Sequence, residues 1–159
     1  MTEKQYAISY KEGSDWTELP DSHQRLILAA IEASNHAYAP YSNFKVGAAM
    51  LTDSGTIITG NNQENAAYPM CNCAEQVAIQ KAFSGDSTIK VNLFAVYAQG
   101  GQDDLLAAPC GACRQVLIES ADRSEQDFPI MLVARNKHFR IFQKTKDLLP
   151  FNFGVGDLT

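Results

Sequence analysis

Apolar residues along this chain follow two rhythms, one helical and one extended. Leu26, Ala29, Ala30, Ala33 and Ala37 fall on one stripe, which predicts a helix over residues 18–38. Ala39-Pro40-Tyr41-Ser42 closes it, because Pro40 disfavours helical backbone in the residue before it. Ala74, Val77, Ala78 and Ala82 repeat the helical spacing over residues 73–83, and residues 110–119 read as the next helix. Elsewhere the pattern is extended. Residues 44–51 and 56–63 flank Thr52-Asp53-Ser54-Gly55, a turn signal that predicts a hairpin. Residues 91–98 (VNLFAVYA) form a nearly unbroken apolar run, which suits a central strand covered on both faces. Residues 129–135 and 138–143 read as two more strands, and residues 6–10 as a short edge strand in an otherwise irregular first 16 residues.

The order is helix, hairpin, helix, strand, helix, two strands, which is an α/β pattern. Strand–helix–strand alternation requires some parallel pairing. The expectation is a mixed sheet of about five strands with helices on its faces. With 159 residues, one domain over 1–159 is the natural size.

Charge narrows the function classes. A net charge of −5 argues against a nucleic-acid polymer as ligand, since polyanions demand a basic footprint. The first residues, MTEKQYAISYKEGSDW, lack the apolar core of a secretory signal, and no run approaches a membrane span. The expected location is the cytoplasm, with no membrane partner. Structural disulfides are rare there. Cys71, Cys73, Cys110 and Cys113 therefore need another explanation.

Their spacing supplies one. Cys73-Ala74-Glu75 opens one predicted helix and Pro109-Cys110-Gly111-Ala112-Cys113 opens another. A C-x-x-C at a helix start puts two sulfurs on one side of one turn, and a second helix start brings a third. Catalytic zinc commonly keeps three protein ligands and one open position for water. Helix N-termini favour thiolate over thiol. Glu75 lies two residues past Cys73, placed to face the open position without being a ligand. A carboxylate there can take a proton from water that zinc has made acidic. Two other readings fit the same cysteines. A closed structural site would use Cys71 as a fourth ligand. A redox C-x-x-C pair would leave Cys73 and Glu75 without a role.

The Cys-Ala-Glu…Pro-Cys-x-x-Cys pattern resembles the signature of zinc-dependent nucleoside deaminases. Further segments resemble the small homotetrameric cytidine deaminases: Tyr41 to Ala49 (YSNFKVGAA), Gly60 to Pro69 (GNNQENAAYP), Pro109 to Gln115 (PCGACRQ), and Leu148-Leu149-Pro150 with Phe153. The resemblance covers the chain from about residue 20 to the end.

It implies a three-layer α/β/α cytidine-deaminase-like fold and one Zn2+ per subunit, held by Cys73, Cys110 and Cys113. It implies hydrolysis of cytidine and 2′-deoxycytidine to the uridine nucleosides and ammonia, with Glu75 moving the protons. Phe44 would lie against the pyrimidine, backbone at Ala74 would meet the base, and Asn62 and Glu64 would hold ribose hydroxyls. Tyr68 and Phe153 would reach a neighbouring subunit's site in a homotetramer. Taken without the resemblance, Phe44 reads equally well as core, and Asn62 and Glu64 as a polar strand end.

Four features sit outside that pattern. Gln76 stands where the family often has Arg; the expectation is a less acidic bound water, with Arg114 compensating. Cys71 is expected to be a buried, unligated thiol. Residues 99–108 (QGGQDDLLAA) run into Pro109 and are expected to border the leaving-group side, where groups on N4 of cytidine would be tolerated. His23, His36 and His138 lack metal-ligand spacing and are read as structural or solvated. Two alternatives to cytidine turnover remain at this level: a related nucleoside or nucleoside antibiotic as substrate, and a zinc-stabilised binding module without catalysis.

Overall fold

The computed structural model describes residues 1–158. The chain runs β1 (Tyr10–Gly13), α1 (Asp21–Asn35), β2 (Val46–Thr52), β3 (Ile57–Asn61), α2 (Ala74–Gly85), β4 (Val91–Ala98), α3 (Gly111–Arg123), β5 (Ile130–Val133) and β6 (Phe139–Phe142). The strands form one sheet in the order β1-β6-β5-β4-β2-β3. β4 and β5 pair in parallel, with α3 making the crossover between them. The other neighbours pair antiparallel. Between β2 and β3, Gly55 sits at φ 80 and its N–H closes the turn onto the Thr52 carbonyl at 3.0 Å.

Both sheet faces are covered, which is why β4 reads as one apolar run. Phe94 and Val96 pack on one side with Met50, Ile130 and Leu132, together with Ala78 of α2 and Leu117 of α3. Leu93, Ala95 and Tyr97 pack on the other, with Leu26, Ile27 and Ala30 of α1. The result is the three-layer α/β/α arrangement. No helix among the described residues is long and apolar enough to cross a membrane.

The sheet has six strands, where the pattern predicted about five. The addition is β1, whose Tyr-Lys-Glu-Gly sequence has no apolar alternation. It forms because β6 offers an edge, and side chains fasten it there. Arg140 stacks 4.4 Å from the Tyr10 ring centroid and donates to Glu12 at 3.1 Å. His138 Nε2 lies 2.6 Å from the same carboxylate. The strand overlaps the expected 6–10 edge strand only at Tyr10 and runs on to Gly13, and a 3-10 turn follows at Trp16–Glu18. Residues 10–18 thus carry more regular structure than their composition suggests.

α1 is shorter than its apolar stripe. Beyond Asn35 the backbone leaves the helix, and Tyr38 exchanges hydrogen bonds with the segment after β3: its N–H donates to Asn62 O at 3.0 Å and its carbonyl accepts from Glu64 N at 2.9 Å. Ala37 is buried, but in this bridge rather than in the helix.

Two glycines set how closely helices approach the sheet. A Cβ on Gly47 would lie 1.9 Å from the Ala30 carbonyl oxygen of α1. A Cβ on Gly60 would lie 2.4 Å from both Ala74 O and Ala78 N of α2. Ala74 is the first residue of α2, so the Gly60 contact seats that helix start. Gly60→Ala pushes backbone against backbone, with no flexible side chain to yield. It is expected to cost about 1–3 kcal/mol, a fall in Tm of roughly 2–12 °C for a chain this long. A calorimetric Tm equal to the native one would contradict the close approach.

Candidate active site

The starts of α2 and α3 meet on one side of the sheet, and the sequence puts its sulfurs there. Cys73 is the N-cap of α2 and Cys110 the N-cap of α3, both in extended backbone and neither capping its helix with the side chain. Cys113 lies in the first turn of α3 and is fully buried. The three Sγ atoms lie within 4.8 Å of one another. Three sulfurs bound tetrahedrally at about 2.3 Å from one zinc would be about 3.8 Å apart, a spacing the cluster can meet. Thiolates are soft donors suited to zinc. A hydrogen bond from the Cys113 thiol holds the Cys73 thiol at about 7, and the same contact, together with burial, pushes Cys113 up.

Gln76 Nε2 donates to Cys113 Sγ at 3.8 Å. It gives the sulfur cluster a neutral donor. Arg114, expected to compensate in charge, directs its hydrogen bonds to backbone carbonyls. Its Nε donates to the Pro109 carbonyl at 2.8 Å and its Nη1 to the Leu148 carbonyl at 3.0 Å. The guanidinium braces the α3 start against the C-terminal tail.

Beside the sulfurs lies a cavity of about 310 Å³. Cys73, Ala74, Glu75 and Cys110 line it, together with the apolar side chains of Phe44 and Val96. Ala107 and Ala108 line it as well, and Ser42, Asn62 and Glu64 are polar groups at its lining. Glu75 is only 5% exposed, and burial pushes its carboxyl above the ordinary carboxylate range. Glu64 shows the opposite shift: the Ser42 hydroxyl and the Tyr41 N–H hold its carboxyl down. Burial thus favours the protonated form of one carboxyl in the site, and hydrogen bonds favour the ionised form of the other.

Tyr68 and Phe153 do not line this cavity. Tyr68 is exposed and borders a smaller neighbouring cavity of about 200 Å³, which shares Ser42 and Glu64 with the first. Phe153 projects from the surface while its carbonyl accepts from Gln115 Nε2 of α3 at 2.9 Å. Cys71 is exposed, not buried as expected. It ends the 3-10 turn over Tyr68–Met70 on the surface, and its sulfur accepts from the Asn65 N–H at 3.2 Å. It is not part of the three-sulfur cluster.

Sequence reasoning passed over Ser42 as a site residue. Its signal was local: a serine two residues before Phe44 can accept from that N–H, and does so at 2.9 Å. Gly100 was also missed; a Cβ there would lie 2.6 Å from the Phe44 ring.

The profile of the cytidine and deoxycytidylate deaminase zinc-binding region matches residues 20–125. The chain belongs to this deaminase family. A cytidine deaminase of Sporosarcina psychrophila is 45% identical over 136 residues, 86% of this chain and 94% of that protein. One from Halalkalibacterium halodurans is 48% identical over 96 residues, 60% and 70% of the two chains. The crystal structure of a cytidine deaminase from Burkholderia pseudomallei aligns with a TM-score of 0.72 at 41% identity, covering 82% of this chain and 98% of that one. Across this deaminase chain, the matched region holds both helix starts and all three clustered cysteines.

Proposed function

We propose that this protein deaminates free cytidine and 2′-deoxycytidine to uridine and 2′-deoxyuridine, releasing ammonia, with one zinc ion per chain. The observation that carries the reading is a buried carboxyl, Glu75, lining a nucleoside-sized cavity beside three convergent thiols. Cys73, Cys110 and Cys113 are the residues that would hold the metal. When bound, zinc supplies a water acidified to a pKa of about 7.

Everything else falls to the chain's own groups. As a water oxygen bonds to C4 of the cytosine ring, Glu75 takes one of that water's protons and delivers it to N3; it then moves the water's second proton to the amino nitrogen, and the C4–N bond breaks to release ammonia and leave the C4 carbonyl of uridine. Burial raises its proton affinity toward the working range for such transfers. Phe44 offers the pyrimidine a flat apolar wall, and backbone groups at Ala74 meet the base from the helix start. Asn62 and the ionised Glu64 meet ribose hydroxyls with matching donors and acceptors.

Several finer points belong to the same reading. The groups lining the cavity include two glutamates and no Lys, Arg or His, which disfavours a 5′-phosphate and supports nucleoside over nucleotide or polymer. Ala107 and Ala108 leave room beside the sulfur cluster, which supports turnover of N4-substituted cytidines. Tyr68 and Phe153, large and exposed, are suited to cover a neighbouring subunit's site in a homotetramer. A cluster of free thiols suits the reducing cytoplasm. Residues 1–159 act as one domain.

The test is a substrate panel on zinc-loaded protein, read as formation of uracil products. Cytidine and 2′-deoxycytidine are expected to turn over best. N4-methyl- and N4-acetylcytidine should exceed background, and free cytosine and deoxycytidylate should be poor. No uridine from cytidine would defeat the function. Deoxycytidylate outpacing deoxycytidine would defeat the nucleoside preference.

A further inference from the structure

Phe44 carries a ring that walls the cavity, and both of its backbone polar groups end on side chains of that same cavity. Its N–H donates to Ser42 Oγ at 2.9 Å. Its carbonyl accepts from Asn62 Nδ2 at 2.9 Å, and Asn62 Oδ1 accepts from Val46 N at 2.8 Å. Ser42 is fixed in turn. Its hydroxyl donates to Glu64 Oε1. Its own N–H and that of Tyr41 donate to Glu64 Oε2 at 3.3 and 2.9 Å.

A serine hydroxyl has one proton and two acceptor lone pairs. With the proton committed to the carboxylate, a lone pair is left facing the Phe44 N–H, so each contact orients the other. Asn43, between the two residues, sits at φ 55, a left-handed conformation that asparagine tolerates better than most side chains. The chain therefore turns tightly enough for Ser42 to reach back to Phe44. Gly100 leaves the ring the space that a Cβ would take, since a Cβ there would lie 2.6 Å from it.

We propose that Ser42 is a positioning residue that couples sugar recognition by Glu64 to the placement of the Phe44 ring. The proposal rests on the nucleoside deaminase reading, in which Glu64 meets a ribose hydroxyl. Ser42 acts through its two neighbours. Without its hydroxyl, Glu64 Oε1 loses the donor that aims it, and the Phe44 N–H loses its acceptor. Grip on the sugar and on the base then weaken together, while Glu75 and the sulfurs keep their places.

The test compares zinc-loaded native protein with Ser42→Ala, Ser42→Thr, Glu64→Gln and the Ser42→Ala/Glu64→Gln double variant. Substrates are cytidine, 2′-deoxycytidine and 3′-deoxycytidine. Ser42→Ala is expected to raise the KM for cytidine about tenfold, the scale of one lost hydrogen bond to a charged group, with kcat little changed. Ser42→Thr, which keeps the hydroxyl, should restore the native KM. The Ser42→Ala penalty should shrink for whichever deoxynucleoside is insensitive to Glu64→Gln. The double variant should be scarcely worse than Glu64→Gln alone, because the two residues act as a unit. A native KM in Ser42→Ala while Glu64→Gln is impaired overturns the coupling and leaves the sugar role of Glu64 standing. Penalties that multiply in the double variant overturn it as well. A native KM in Glu64→Gln removes the sugar role, and the coupling falls with it.

Discussion

Zinc-loaded Glu75→Gln protein is expected to keep its metal and lose about 10²–10⁴-fold of its kcat on cytidine, the usual reach of a positioned acid–base group. The substitution is close to isosteric, so the buried pocket in the first turn of α2 stays filled. Glu75 is 5% exposed, and its burial raises its pKa because the charged form is poorly solvated. A carboxyl in that state accepts a proton readily and gives it back, whereas an amide does neither near neutral pH. Only proton transfer is removed, so KM should move far less than kcat. Steady-state kinetics with metal content measured on the same sample checks this. Near-native kcat at full zinc occupancy would remove Glu75 from the reaction.

Cys113→Ala is expected to abolish stoichiometric zinc binding and activity together. Cys113 is the buried member of the cluster and its sulfur sits against both Cys73 and the Gln76 amide. Losing an outer-shell partner costs about 10–100-fold in metal affinity, and losing a ligand from a set of three should cost more. Because metal bound only to the folded chain stabilises it, the variant should also lose the rise in Tm that zinc confers on native protein. Cys71→Ser is the matched control. Cys71 is exposed and outside the cluster, so that variant should keep zinc, turnover and the zinc-dependent Tm. Full zinc retention after dialysis of Cys113→Ala would contradict the ligand set.

Much of this architecture was legible because burial writes itself into the chain. β4 occupies residues 91–98, as its apolar run predicted, since both of its faces are covered. The cysteine cluster was legible because C-x-x-C and C-x-E gain meaning once both are placed at helix starts. What escaped was held by partners far away in sequence. β1 carries no pattern of its own and depends on β6, with Glu12 reaching Arg140 and His138. The stripe that ran through Ala37 overshot α1 because Tyr38 bonds to the segment after β3 instead of continuing the helix. Cys71 looked like a buried thiol from its proximity to Cys73. Only the Tyr68–Met70 turn shows that it faces solvent. The hydrogen-bond partners of Arg114, two backbone carbonyls, were not legible either, because one of them depends on the path of the C-terminal tail.

Zinc K-edge X-ray absorption on the substrate-free holoprotein addresses the centre of this account directly. The expected first shell is three sulfurs at about 2.3 Å and one light atom at about 2.0 Å, with Cys71→Ser giving the same spectrum. A shell of four sulfurs would contradict it, because the position kept for water would then belong to the protein.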